Sequence, residues 1–441
     1  MEKGNKKVIR GWVMYDWANS VYNLVISSAI FPIFYNSITT QRFLDENGWD
    51  SIPEGVDVTV DFFGMTISST ALMSFTMAAS FLVVSILSPM LSGVADISGN
   101  KKSYMRFFNY LGVISCVSLF WFKDVPIELG VLSTFFASIG FWNSLVFYNA
   151  YLPEIAEPKD HDRISAKGYM MGYFGSMILL IICLGIIMFT GENGSNTAYS
   201  FILVGVWWLL FSQLTYKVLP KSDIVSEKVK GKVWKGFKEL KSVMVEFGKT
   251  KRLKRYLFSF FFFNTGVQTV MIMAVYFADK EISWPENDNG TGLIISILLI
   301  QILGALGAFL MSRLSKYIGN IKTLGISISI WIGICISAYF VETPVEFYLL
   351  ASCVGLVMGG VQAIARSTYS KYLPHNTTST ASYFSFYDAT EKVGMVFGLF
   401  CFGFLQESFG SIRYSVVSVA VFFIIGFILL FFIPKNESIK H

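Results

Sequence analysis

The chain has 441 residues, of which 54% are hydrophobic and only 15% charged, with a formal net charge of +5. An average soluble domain carries roughly 25% charged residues, so the composition argues against a soluble domain. The small positive balance does not suggest a nucleic-acid partner.

Apolar stretches of about 20 residues, the length that crosses a bilayer, recur twelve times. They cover 17–40, 62–91, 104–122, 127–150, 169–190, 197–219, 256–278, 292–312, 323–341, 344–365, 381–405 and 412–433. Gly and Pro inside these runs do not break them, because helices in a bilayer tolerate both. Residues 1–10 are basic, but Trp12, Asp16 and Trp17 stand at the mouth of a long apolar run with no small-residue cleavage site. That run is read as the first span and not as a signal peptide.

Two phrases occur twice in the same order. Gly99-Asn100 returns as Gly319-Asn320, and Tyr151-Leu152-Pro153 returns as Tyr372-Leu373-Pro374, at offsets of 220 and 221. Each lies in a short polar loop between apolar runs. Tandem halves in register are the build of parallel-repeat secondary transporters, with the substrate site where the halves meet. The chain therefore divides into a six-helix bundle over 1–219, a linker over 220–255 and a second six-helix bundle over 256–441.

Of the 35 Lys and Arg, 29 fall in loops on one side; only Arg42, Lys123, Lys280 and Arg413 fall on the other. The positive-inside rule then puts both termini in the cytoplasm. In a bacterium the protein would sit in the plasma membrane. The linker holds 12 basic and 4 acidic residues. Val229, Val233, Phe237, Leu240, Met244 and Phe247 recur there at intervals of three and four, as in an amphipathic helix on an anionic leaflet. A plain tether between bundles is the simpler role, and the two are compatible.

All five cysteines fall inside spans, so a disulfide framework is not expected. The three histidines lie in cytoplasmic segments. No Cys/His cluster has metal-ligand spacing and no phosphate-binding loop is present. Neither a cofactor nor nucleotide hydrolysis is expected.

Polar side chains are costly in hydrocarbon, so their positions are informative. Asn19, Tyr22 and Asn23 are three and four apart in the first span, and Asn264 and Gln268 repeat that spacing in the seventh. The fourth has Asn143, Tyr148 and Asn149, and the tenth has Gln362 ahead of Arg366. Asp16, at the cytoplasmic mouth of the first span, suits either a substrate amine or proton, or an ion pair at an inner gate. Gly304 and Gly307, with Ala305 and Ala308, permit close packing of the eighth span. The eleventh span carries Glu391 and Lys392 at ~15 Å depth. Each charge there costs ~2.5–3.5 kcal/mol and must be paired or functional. Asp388, one turn before Lys392, can bond it. Glu391, with Tyr387 one turn back, is then the carboxylate left to titrate, unless the whole cluster is structural.

The loop Ser92-Gly-Val-Ala-Asp96-Ile-Ser-Gly99-Asn-Lys101-Lys102 resembles the signature between the second and third spans of the major facilitator superfamily. Ser92 replaces its first glycine and Ile97 its arginine. In the second half Lys316 stands where Asp96 would align. Trp12-Val-Met-Tyr15-Asp16-Trp17-Ala18-Asn19-Ser20-Val-Tyr22 with Phe31-Pro32 resembles the opening of the vacuole-effluxer-like branch. Further matches are Leu152-Pro153-Glu154-Ile155-Ala156, Gly359-Gly360-Val361-Gln362-Ala363 with Arg366-Ser367, and Phe384-Ser385-Phe386-Tyr387-Asp388 leading to Glu391-Lys392.

The resemblance implies an all-α fold of twelve transmembrane helices in two pseudo-repeated bundles. Spans one, four, seven and ten would line a central cavity. Asp96, Gly99, Lys101, Lys102 and Arg106 would belong to a gate, as would Arg366. The expected protein is a monomeric transporter of a small polar organic solute, such as an amino acid, coupled to protons; a transport-inactive scaffold or sensor is the alternative.

Overall fold

The computed structural model describes residues 3–53, 56–190, 195–220, 232–285, 290–374, 377–409 and 411–434. Among the described residues, twelve long helical segments match the expected spans in order. Spans 1 to 6 are Lys6–Asn47, Ser69–Ser98, Lys101–Ser118, Ile127–Ala150, His161–Thr190 and Ser195–Val218. Spans 7 to 12 are Lys251–Glu281, Thr291–Ile318, Asn320–Ser337, Pro344–Tyr372, Thr380–Phe409 and Ile412–Phe431. Among the described residues, ten of these helices are long and apolar enough to cross a membrane. The other two, spans 3 and 11, carry the charges Lys101, Lys102 and Arg106, and Asp388, Glu391 and Lys392.

Two features differ from the sequence expectation. Span 2 starts at Ser69 and not at residue 62, because the apolar residues before it form a hairpin, β1 (Thr59–Phe62) with β2 (Met65–Ser68). Its two-residue turn has φ of 49° at Phe63 and 80° at Gly64, the positive-φ pair that suits the twist of paired strands. Span 1 is not uniformly α-helical: Tyr22–Ala29 winds as a π-helix. Pro32 follows closely, and its ring crowds the carbonyl one turn back and offers no N–H. The wider turns accommodate that break in the ladder.

Both Gly-Asn repeats end a helix on a glycine of positive φ, although ψ differs, 16° at Gly99 and 158° at Gly319. Gly99 (φ 65°) and Gly319 (φ 85°) take positive φ, which an L side chain rarely adopts. Spans 8 and 10 pack closely, where Gly304 and Gly359 bring their backbones into contact, as do Gly307 and Leu356. The halves meet along spans 2 and 11 and along span 5 against spans 8 and 10.

The linker helix Lys232–Lys249 lies against the basic end of this interface. Gly236 packs backbone to backbone on Gly93 and Val94 of span 2. Val243 is buried, Ser379 Oγ donates to Glu239 at 2.5 Å, and Phe247 meets Phe386 with ring centroids 6.0 Å apart. The docked face is thus Gly236, Glu239, Val243 and Phe247, of which only Phe247 belongs to the expected stripe. Phe237 and Met244 are 41% and 54% exposed, and Val229 lies outside the described residues. A Gly236→Val substitution is expected to lift the helix off span 2, because a side chain there would strike both the side chain and the backbone of Val94. Hydrogen exchange checks it: amides of 236–247 should lose protection while the spans keep theirs.

Candidate functional site

Among the described residues, three polar networks join the halves, and all lie at the end bearing the basic loops. In the first, Asp96 sits over the start of span 11 and accepts from the amides of Ala381 (3.1 Å) and Ser382 (2.8 Å) and from Ser382 Oγ (2.7 Å). A carboxylate facing the unsatisfied amides of a helix N-terminus is favourable. Lys101 Nζ is 3.0 Å from Asp96, donates to Thr380 Oγ1 at 2.6 Å and pairs with Glu154. Lys102 and Arg106, expected beside Lys101, are elsewhere. Lys102 donates to the Leu219 carbonyl and Arg106 lies over the Tyr216 ring. They lie one and five positions beyond Lys101, so the helix turns them to other faces.

The second network is built on Arg366 of span 10, which is 2% exposed. It reaches Asp16 of span 1 at 3.2 Å, the Ser165 hydroxyl and carbonyl at 2.9 Å each and Asn149 Oδ1 at 3.2 Å. Tyr148 donates to the same Asp16 oxygen at 2.7 Å. The guanidinium stands over the rings of Trp12, Tyr148 and Tyr169, 4.2 to 5.6 Å from their centroids, where the ring quadrupoles favour a cation. Gly168 forms the floor: any Cβ there would strike the Asp16 carboxylate. Asp16 is therefore an ion pair across the halves here.

The third network escaped the sequence reading. Asp162, at the start of span 5, accepts from Ser315 Oγ (3.0 Å), Asn320 Nδ2 (2.7 Å), Ser367 Oγ (2.7 Å) and Lys371 Nζ (2.6 Å), all of the second half. The one available signal was Lys316 in place of the aligned acid. The carboxylate is found on the opposite partner, 220 positions before Ser382, the residue that binds Asp96.

Deeper in the interface, Lys392 of span 11 is fully buried. Its Nζ lies 3.4 Å from Asp388, 3.8 Å from Glu391 and 3.3 Å from the ring centroid of Trp142 on span 4. Glu391 accepts from Gln268 Nε2 of span 7 at 3.0 Å. Its side chain is 16% exposed, against 7% for Asp388 and 0% for Lys392. Tyr387 stacks on Phe260 at 4.2 Å and is engaged with rings. Trp142 was not expected, because an aromatic among apolar residues gives no pattern in sequence.

The remaining amides separate. Asn143 bonds Ser88 of span 2 and its own helix, so it clamps two helices. Gln362 accepts from Tyr173 of span 5 at 3.0 Å. Asn19 and Tyr22 are buried whereas Asn23, already in the π-helical stretch, is exposed; the three do not share one environment. Asn264, one turn before Gln268, is buried, and its Nδ2 has no partner among the described residues.

Twelve spans in two repeated halves, strapped at one end around charged residues, define a membrane transporter of the major facilitator fold. The chain belongs to the vacuole effluxer Atg22-like family, whose model matches residues 4–441. It is similar to the uncharacterized MFS-type transporter YxiO of Bacillus subtilis (strain 168), 29% identical over 450 residues covering 99% of this chain and 97% of that one. It is also similar to autophagy-related protein 22 of Coccidioides immitis (strain RS), 22% identical over 508 residues, covering 93% and 83%. Among solved structures, the proton:xylose symporter XylE matches with a TM-score of 0.69 at 14% identity, covering 97% of this chain and 95% of that one. The transporter FucP in its outward conformation matches at 0.65 and 12%, covering 98% and 100%. At such identities the structures share the fold alone.

Proposed function

We propose that this protein is a secondary active transporter of a small polar organic solute, such as an amino acid. It works by alternating access as a monomer and couples to protons through Glu391. The observation that carries the reading is the gathering of three ionic networks across the halves at one end. Such contacts stabilise one of two arrangements and release together when the halves rock. With the basic loops in the cytoplasm, this arrangement is closed to the cytoplasm. Residues 220–255 then tether the bundles, with Trp234, Phe237 and Met244 of the linker helix turned to the inner leaflet beside its lysines. The amino-acid class rests on the family resemblance, and the family's description as an effluxer supports transport without naming a cargo.

Thermal stability of the purified protein against amino acids, peptides and sugars tests the cargo, since a ligand at 100 times its Kd adds about 2.7 kcal/mol. Amino acids should raise the melting temperature and exchange across proteoliposome membranes. No stabilisation and no flux with any class would favour the scaffold reading. The orientation has its own check. A cysteine replacing Lys235 should react only with reagent from the cytoplasmic side, and one replacing Asp61 only from outside; the reverse pattern would invert the topology.

A further inference from the structure

A groove of about 1040 Å³ opens at the basic end of the second half, between spans 9 and 12. It is distinct from the interface of the halves, although Lys371 and Asn320 belong to both. Its mouth carries Arg252, Lys322 and Lys371, and no carboxylate is among its described lining residues. Arg252 is held with its guanidinium 3.9 Å over the Tyr372 ring. Away from this mouth the walls are apolar. Ile326 and Ile330 follow Lys322 by one and two helical turns, about 6 and 12 Å along the axis. Phe427 and Phe431 of span 12 face them across the groove. Ile326, Ile330 and Phe431 are 44%, 39% and 73% exposed.

Cations at the headgroup level above an apolar channel that runs into the bilayer fit one occupant. We propose that this groove binds an anionic phospholipid, its phosphate at Arg252, Lys322 and Lys371 and an acyl chain along Ile326 and Ile330. A soluble anion would leave the walls bare, and a zwitterionic lipid would bring a cation to a mouth that already holds three. Lys371 links the site to the gate. While the halves are closed at this end its ammonium is shared with Asp162, 2.6 Å away. When they part, Asp162 leaves with the first half and the phosphate takes its place. The lipid therefore binds the opened arrangement more tightly and shifts the population towards it. This is independent of which solute is carried.

The test uses the full-length protein in phosphatidylcholine nanodiscs with added phosphatidylglycerol, read by native mass spectrometry and melting temperature. Phosphatidylglycerol should be retained and should stabilise. Lys322→Gln should weaken retention about fivefold for the one charge removed. Ile326→Trp, which fills the groove without touching charge, should abolish retention in a protein that melts normally without lipid. Retention unchanged by both variants would overturn the site, as would equal retention of phosphatidylcholine or equal stabilisation by inorganic phosphate. A stable dimer in place of bound lipid would assign the groove to a second copy instead. Spin labels replacing Lys159 and Lys316 read the link to the gate: phosphatidylglycerol should lengthen their separation, and an unchanged distance would remove that link.

Discussion

Replacing Arg366 with Gln is expected to open the basic end of the protein without unfolding either half. Arg366 and Asp16 are buried, and removing one partner of such a pair typically costs about 3–5 kcal/mol, because the remaining charge is stranded. Here the pair spans the halves, so the cost falls on the closed arrangement alone. In the opened one Asp16 can meet water. A bias of that size moves a two-state equilibrium by at least a hundredfold. Spin labels or cysteine accessibility at the basic end should report the opened state as dominant, with transport lost and the span helices intact. Gly168→Ala should act in the same direction by a different route, pressing a methyl group against the Asp16 carboxylate and Arg366. Asp16→Asn tests the sign: it removes the same pair but leaves Arg366 among three rings and Ser165, so its shift should be smaller. A closed distance distribution in Arg366→Gln would show that the strap does not hold the gate.

Most of the passes were legible because ten are long apolar runs, and the repeat because glycine is needed where the backbone takes positive φ at residues 99 and 319. Asp16 and Lys392 stood out as charges where hydrocarbon was expected. Asp388, one turn before Lys392, was legible as its partner; the partner of Asp16 was not. Arg366 lies 350 positions from Asp16, and nothing in the local pattern of either names the other. The Asp162 cluster was hidden for a related reason: it starts in a polar loop, where charge is ordinary, and draws its four donors from three different spans. Hairpin β1–β2 was absorbed into span 2 because seven apolar-rich residues before a helix look like its first turns. The π-helical stretch defeated the face assignment of Asn23, since counting by threes and fours presumes α geometry throughout.

Glu391→Gln is expected to abolish transport driven by a pH gradient while leaving exchange of solute across the membrane intact. The geometry separates two carboxylates that sequence could only list together. Asp388 is the closer partner of Lys392, at 3.4 Å against 3.8 Å for Glu391. Glu391 is the more exposed of the two acids and is held by the neutral Gln268, so neutralising it leaves Lys392 paired with Asp388. Gln at 391 keeps the hydrogen-bonding shape and removes only the titration. Exchange needs no net proton movement and should survive. Lys392→Met should behave differently, since it takes away the cation that pairs with Asp388 and stands on the face of Trp142. It should lower the melting temperature, by analogy with other broken buried pairs at about 3–5 kcal/mol. Adding Asp388→Asn to Lys392→Met should recover part of that loss, as removing both charges leaves neither stranded. A folded Glu391→Gln protein that still concentrates solute along a pH gradient would eliminate Glu391 as the proton site and return the cluster to a structural role.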